Sequence, residues 1–202
     1  DPHQTFYGWG TCFNELGWDA LNLLKTSEKA EIMSKLFSPK GDLRLSIGRI
    51  PVGANDYARS WYSSDEFEGD YTMAKFNITR DKQTLIPYIK QALSYNPNMT
   101  FWASPWSPPQ WLKTNKHYAN KSGGNNGLST ANQVPLFQDQ VIQDSMHLQA
   151  YALYFSKFID AYKTFKLKGL DSYIQLAFEM PEVEFTIVGI NITFLENHNI
   201  QI

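Results

Sequence analysis

The residues best equipped for chemistry fall in three short stretches. In Phe101–Asn115, reading FWASPWSPPQWLKTN, three tryptophans and three prolines follow a short apolar run. Pro105, Pro108 and Pro109 have no N–H to give a sheet, so a strand through Phe101–Ala103 has to end there, presenting Trp106 and Trp111 at its carboxyl end. Indole faces flanked by Ser104, Ser107, Lys113 and Asn115 offer stacking surface beside hydrogen-bonding groups. That combination suits a pyranose better than a metal or a phosphate. The competing reading is ordinary core packing of the tryptophans.

The second stretch, Arg49–Tyr57, holds an arginine whose planar fork can orient a carboxylate and an aspartate, Asp56, that can accept from sugar hydroxyls. A buried structural ion pair for Arg49 and a plain turn for Asp56 are the alternatives. The third stretch, Phe178–Phe185, carries Glu179, Glu182 and Glu184 within six residues. Glycoside cleavage needs one carboxyl that keeps its proton to protonate the leaving oxygen and a second, ionised one opposite. A solvated acidic surface is the other reading.

The elements that must position these groups alternate. Thr5–Phe13 reads as a first strand and Ser27–Phe37 as a helix. Leu43–Ile50 alternates apolar and polar residues up to Pro51, and a long loop then leads to a helix around Lys82–Tyr95. Met99–Ala103 is a third strand. Leu148, Tyr151, Phe155, Phe158, Ile159 and Tyr162 recur at helical spacing, with Gly169 as the stop. Ser172–Met180 gives a fourth strand ending before Pro181. Strands separated by helices imply parallel βαβ crossovers, hence an α/β fold; were it a (β/α) barrel, the functional residues would sit just after each strand. The Asn-, Gly- and Ser-rich stretch Tyr118–Pro135 is a surface loop inside one unit and not a linker.

Bulk properties narrow the partners. The chain has 202 residues, 43% hydrophobic and 19% charged, with a formal net charge of −2 and no long basic run. This points away from nucleic acid and anionic membranes and toward a small or neutral ligand. No segment has the ~20 apolar residues of a membrane span. One cysteine, Cys12, and four histidines without HxxxH or HxH spacing give no basis for a disulfide or a metal site. Asn77, Asn98, Asn120 and Asn191 each open an N-x-Ser/Thr acceptor pattern, of consequence only in a secreted eukaryotic protein.

Gly8–Leu21, Arg49–Tyr57, Trp61–Asp70 and Phe101–Asn115 together resemble glycoside hydrolase family thirty, the glucosylceramidase-like retaining β-glycosidases, over residues ~6 to ~185. The segment CFNELGW, Cys12–Trp18, is closest to gut-bacterial members. The resemblance implies a (β/α)8 barrel of TIM type whose first four β–α units lie in residues 1–185, with 186–202 a divergent tail. It implies retaining hydrolysis of a β-glycoside, either glucosylceramide in sphingolipid metabolism or a β-1,6-glucan, by a secreted, periplasmic or lysosomal protein without cofactor. Arg49, Asp56, Trp106, Trp111 and Asn115 would contact substrate. Glu184 aligns with the family's acid/base, with Glu182 as the neighbouring alternative. Val183 stands where the family has an asparagine that bonds the sugar's 2-hydroxyl, and the family's nucleophile, a glutamate after strand seven, has no counterpart in this chain. A non-catalytic sugar binder and a half-barrel that self-associates through open edges are therefore the rival expectations.

Overall fold

The structure, a computed structural model, describes residues 6–135, 138 and 140–165, and the backbone of two further short strands at 174–176 and 188–190. One sheet runs in the order β1 (Gly10–Cys12), β2 (Ile47–Val52), β3 (Thr100–Pro105), β4 (Ile174–Leu176), β5 (Val188–Ile190). The first four strands are parallel neighbours, and β5 lies antiparallel on β4. Helices fill the crossovers: α1 (Glu15–Asn22) and α2 (Thr26–Phe37) after β1, α3 (Thr79–Gln83) and α4 (Leu85–Tyr95) after β2, and α5 (Ser145–Lys163) after β3. This is the β–α rhythm of the opening units of a barrel.

The β2–β3 ladder explains how the sheet gets two unlike faces. Its register pairs Gly48 with Phe101, Arg49 with Trp102, Ile50 with Ala103 and Val52 with Pro105. Side chains alternate across a strand, so Ile50, Val52, Phe101 and Ala103 share the face that is buried under the helices. Phe13 lies at the centre of that packing, stacked on Phe37 at 5.8 Å and edge-on to Tyr88 at 4.8 Å. Met33, Leu85, Ile89, Ala92, Phe158 and Tyr162 complete the layer. Arg49, Trp102 and Ser104 stand on the opposite face, which the helices do not cover.

Three sequence expectations need correction. β2 continues through Pro51 to Val52, because a proline next to the strand's end forfeits one ladder donor and leaves the pairing with β3 intact. The segment after β1 holds two helices, the first capped by Asn14, whose side chain accepts from Gly17 N–H at 2.7 Å. The helix expected around Lys82–Tyr95 is broken at Thr84, which has φ −127° and ψ −74°. Pro87 would drive its ring into the carbonyl of Gln83 in a continuous helix, so the break falls where that clash would begin. Gly169 and most of the expected strand Ser172–Met180 lie outside the described residues.

Buried polar groups tie the long connection after β2 to the frame. Asp81, on α3 and 1% exposed, accepts from Tyr62 of that connection at 2.8 Å and from Tyr162 of α5 at 2.6 Å. Burial outweighs the two hydroxyl donors and pushes its carboxyl up to about 6. Glu15, opening α1, receives Arg80 through Nε at 2.8 Å and Nη2 at 2.6 Å, and the Arg59 N–H at 2.8 Å. Burial opposes the charge of Glu15, and these donors reverse the balance and hold it below the usual carboxylate range.

Gly48 marks the tightest point of the sheet. A Cβ there would come within 2.6 Å of the Phe101 ring and 2.8 Å of the Phe13 ring. Gly48→Ala should therefore lower stability by about 1–3 kcal/mol, read as a fall in the urea midpoint without change of slope.

Candidate active site

The face of the sheet opposite the helix-packed layer carries a cation between aromatic rings. Arg49 donates from Nε to Ser104 Oγ at 2.7 Å, and its guanidinium carbon lies 5.3 Å from the centre of the Trp102 ring and 5.0 Å from that of Trp106. Both contacts are within cation–π range and hold the planar fork in place without a counter-ion. Among the described residues no carboxylate pairs with Arg49, and its four Nη–H donors make no hydrogen bond. The structural ion pair weighed from the sequence is thus absent from the described residues. Trp106 is half-buried, and its indole Nε1 is a buried donor without a partner among them. Buried polar groups are nearly always satisfied, so an indole N–H beside guanidinium Nη donors, neither with a partner among the described residues, marks a place prepared for an acceptor.

The strand ends decide this arrangement. Trp106 directly follows β3, Arg49 is the third residue of β2, and Ser104 is the diagonal neighbour of Arg49 across the ladder. Cys12 ends β1 opposite Arg49, and the connection after β2 is drawn over it through Asn55 Nδ2 to Cys12 Sγ at 3.7 Å. Asp56, one residue on, is exposed and makes no hydrogen bond or ion pair with another described residue. Arg49 and Trp106 are brought together; Asp56 stands free on the adjoining loop.

Trp111 and Asn115 are placed differently from the sequence expectation. Trp111 is 4% exposed, packed edge-on to Tyr71 at 5.4 Å, and donates its indole N–H to Asp65 O at 3.1 Å. No ring face is left for a sugar; the residue ties the loop after β3 to the connection after β2. Asn115 donates to Ala119 O at 2.8 Å and accepts from His117 N–H at 3.2 Å, which spends its amide on a turn. Glu179, Glu182 and Glu184 lie outside the described residues. Among the described residues no group of three or more His, Cys, Asp or Glu is placed to hold a metal ion, and no helix is long and apolar enough to cross a membrane.

Two groups were not singled out from the sequence as contributors here. Trp102 appears as a pocket residue only once the register sets it beside Arg49. Lys113 was read as a flanking donor, yet it is fully buried and has no carboxylate partner among the described residues, donating to Tyr118 O and Asn120 Oδ1, both at 2.7 Å. Burial pulls its ammonium down to about 8. A lysine lowered in the folded state binds fewer protons there than in the unfolded chain between about 8 and ~10.4, so stability rises with pH across that window and is lost again as pH falls through about 8. Urea unfolding followed from pH ~7 to ~10 should show wild type gaining up to about 3 kcal/mol on Lys113→Met.

Comparison with known proteins agrees with this fold. The family model of the Glycosyl hydrolase family 30 TIM-barrel domain matches residues 6–174. A putative glucosylceramidase 1 of Caenorhabditis elegans is 37% identical over 161 residues, 79% of this chain and 28% of its own length. The lysosomal acid glucosylceramidase of Mus musculus is 31% identical over 153 residues, 74% of this chain and 27% of its own. A solved endo-beta1,6-glucanase superposes with a TM-score of 0.65 at 26% identity, over 84% of this chain and 35% of that one. The chain therefore spans about a third or less of the proteins it matches. With its parallel β–α units and a sheet face bearing Arg49 and Trp106, this chain belongs to glycosyl hydrolase family 30.

Proposed function

We propose that the whole protein is a retaining β-glycosidase and that this chain supplies the part that holds the cleaved sugar. The observation that carries the reading is the Arg49 guanidinium set between Trp102 and Trp106 with its Nη donors and the Trp106 indole N–H lacking an acceptor among the described residues. Trp106 stacks on the pyranose, its N–H and the Asp56 carboxylate bond hydroxyls, and the Nη donors of Arg49 orient a carboxylate. The substrates named for the relatives make glucosylceramide and β-1,6-glucan the leading candidates. Secretion or delivery to a lysosome, and a place in sphingolipid metabolism, follow for the first of these.

Chemistry then runs through two carboxyls. Glu184, by its match to the family pattern, gives its proton to the glycosidic oxygen as a carboxylate from a later strand attacks the anomeric carbon and the alcohol leaves. The ionised Glu184 next takes a proton from water, whose oxygen attacks the same carbon and releases the second carboxylate. The cation of Arg49 next to that second carboxylate keeps it ionised, as a nucleophile must be.

Val183 supports a second reading. An isopropyl group cannot replace the family's asparagine at the 2-hydroxyl, a contact that strengthens in the transition state, so a chain with this residue can bind sugar without cutting it. Self-association has its own support: Phe6, Tyr7 and Trp9 are 69%, 84% and 66% exposed next to β1, the outermost strand of the sheet.

Hydrolysis of an aryl β-glucoside should fall by ~10²-fold or more in Glu184→Gln, and turnover unaffected by that change would refute its assignment. Without turnover, sugar-dependent tryptophan quenching that is lost in Trp106→Ala identifies a binder. Sedimentation that depends on concentration, with neither property, leaves assembly alone.

A further inference from the structure

A second aromatic group stands on the segments that leave the carboxyl ends of β2 and β3 and has no part in the pocket just described. Trp61, from the connection after β2, stacks on Tyr118, from the loop after β3, with centroids 5.5 Å apart and planes 27° apart. Tyr118 is also stacked on His117 at 4.6 Å and 27°. All three rings are half-buried and none is part of the hydrophobic core cluster.

Their polar edges are unspent. Trp61 Nε1, Tyr118 Oη and His117 Nε2 form no hydrogen bond with a described residue. His117 Nδ1 accepts from Ala119 N–H at 3.0 Å, which leaves Nε2 as the ring's donor. Flat apolar faces rimmed by free donors and acceptors match the alternating C–H and hydroxyl character of a hexopyranose; an alkyl chain would leave those polar edges unused.

The group is also firmly placed. The Tyr118 carbonyl accepts from Ser107 Oγ at 2.9 Å and from the buried Lys113 ammonium at 2.7 Å. Ser107 adjoins Trp106 in the chain, so the clamp joins this stack to the pocket tryptophan through one peptide unit. Burying an uncompensated ammonium is costly, and here the outlay fixes the backbone of a ring that lies outside the core.

We propose that Trp61, Tyr118 and His117 form a second sugar subsite that takes the glucosyl unit next to the one held at Trp106, and that the natural ligand is accordingly an oligosaccharide. The inference rests on the sugar-holding role proposed for Arg49 and Trp106, and goes further by choosing a glycan over a glycolipid as the substrate class.

Calorimetric or NMR titration of this chain with methyl β-glucoside, gentiobiose and octyl β-glucoside tests it. Gentiobiose should bind about 3- to 10-fold more tightly than methyl β-glucoside, the worth of one aromatic stack. Trp61→Ala and Tyr118→Ala should each erase that difference while the affinity for methyl β-glucoside stays unchanged. Trp61→Phe, which keeps a ring, should preserve most of it, and unchanged methyl β-glucoside binding certifies that each variant is folded. A difference absent in wild type, or persisting in both alanine variants, overturns the subsite. So does a Trp61-dependent gain for octyl β-glucoside with none for gentiobiose, which would assign the stack to a lipid chain. Methyl β-glucoside binding indifferent to Trp106→Ala refutes the pocket instead; Trp61-dependent gentiobiose binding alongside it would keep the second subsite.

Discussion

Everything on the sheet face that bears Arg49 depends on the contact between β2 and β3 at Gly48. With no side chain there, the Phe101 and Phe13 rings press directly against the strand and seal the helix-facing layer. Because side chains alternate, sealing one face with Gly48, Ile50, Phe101 and Ala103 obliges Arg49, Trp102 and Ser104 to stand on the other. The packing that stabilises the sheet and the register that assembles the pocket are therefore one constraint. A slip by one residue would bury the guanidinium and expose the apolar set.

The loops are positioned by buried polar links more than by apolar contact. Asp81 joins the connection after β2 to α5 through two tyrosines, Glu15 gathers Arg80 and the Arg59 backbone, and Lys113 gathers the loop after β3. Each link carries a desolvation cost that a surface loop would avoid. What they secure is fixed placement of Trp61, Tyr118 and the segment carrying Asp56, where a sugar-binding surface needs side chains held to sub-ångström tolerance.

Much of this was legible from residue types. Helical spacing in α5 and the Pro-terminated apolar run of β3 located those elements, and the match of several motifs named the family. What escaped depends on contacts between distant segments. Trp106 and Trp111 read alike as strand-end indoles, yet one lies against Arg49 and the other gives its N–H to a carbonyl of the connection after β2. Nothing local separates them; the fold does. Lys113 read as a donor flanking the indoles; a buried lysine is rare, and the acceptors that account for it, Tyr118 O and Asn120 Oδ1, come from the loop that follows. The helix break at Thr84 was readable in principle, since the ring of Pro87 excludes the helical carbonyl of Gln83, four residues before it.

The double tyrosine grip on Asp81 also bears on how the molecule moves. The connection after β2 is long, and a loop of that length ordinarily opens by itself at small cost. Here its Tyr62 shares a buried carboxylate with Tyr162 near the end of α5, so lifting the loop strips a partner from the helix as well. Amide protons of the loop and of the last turns of α5 accordingly belong to one cooperative unit of hydrogen exchange, and the surface bearing Trp61 stays in place without bound sugar.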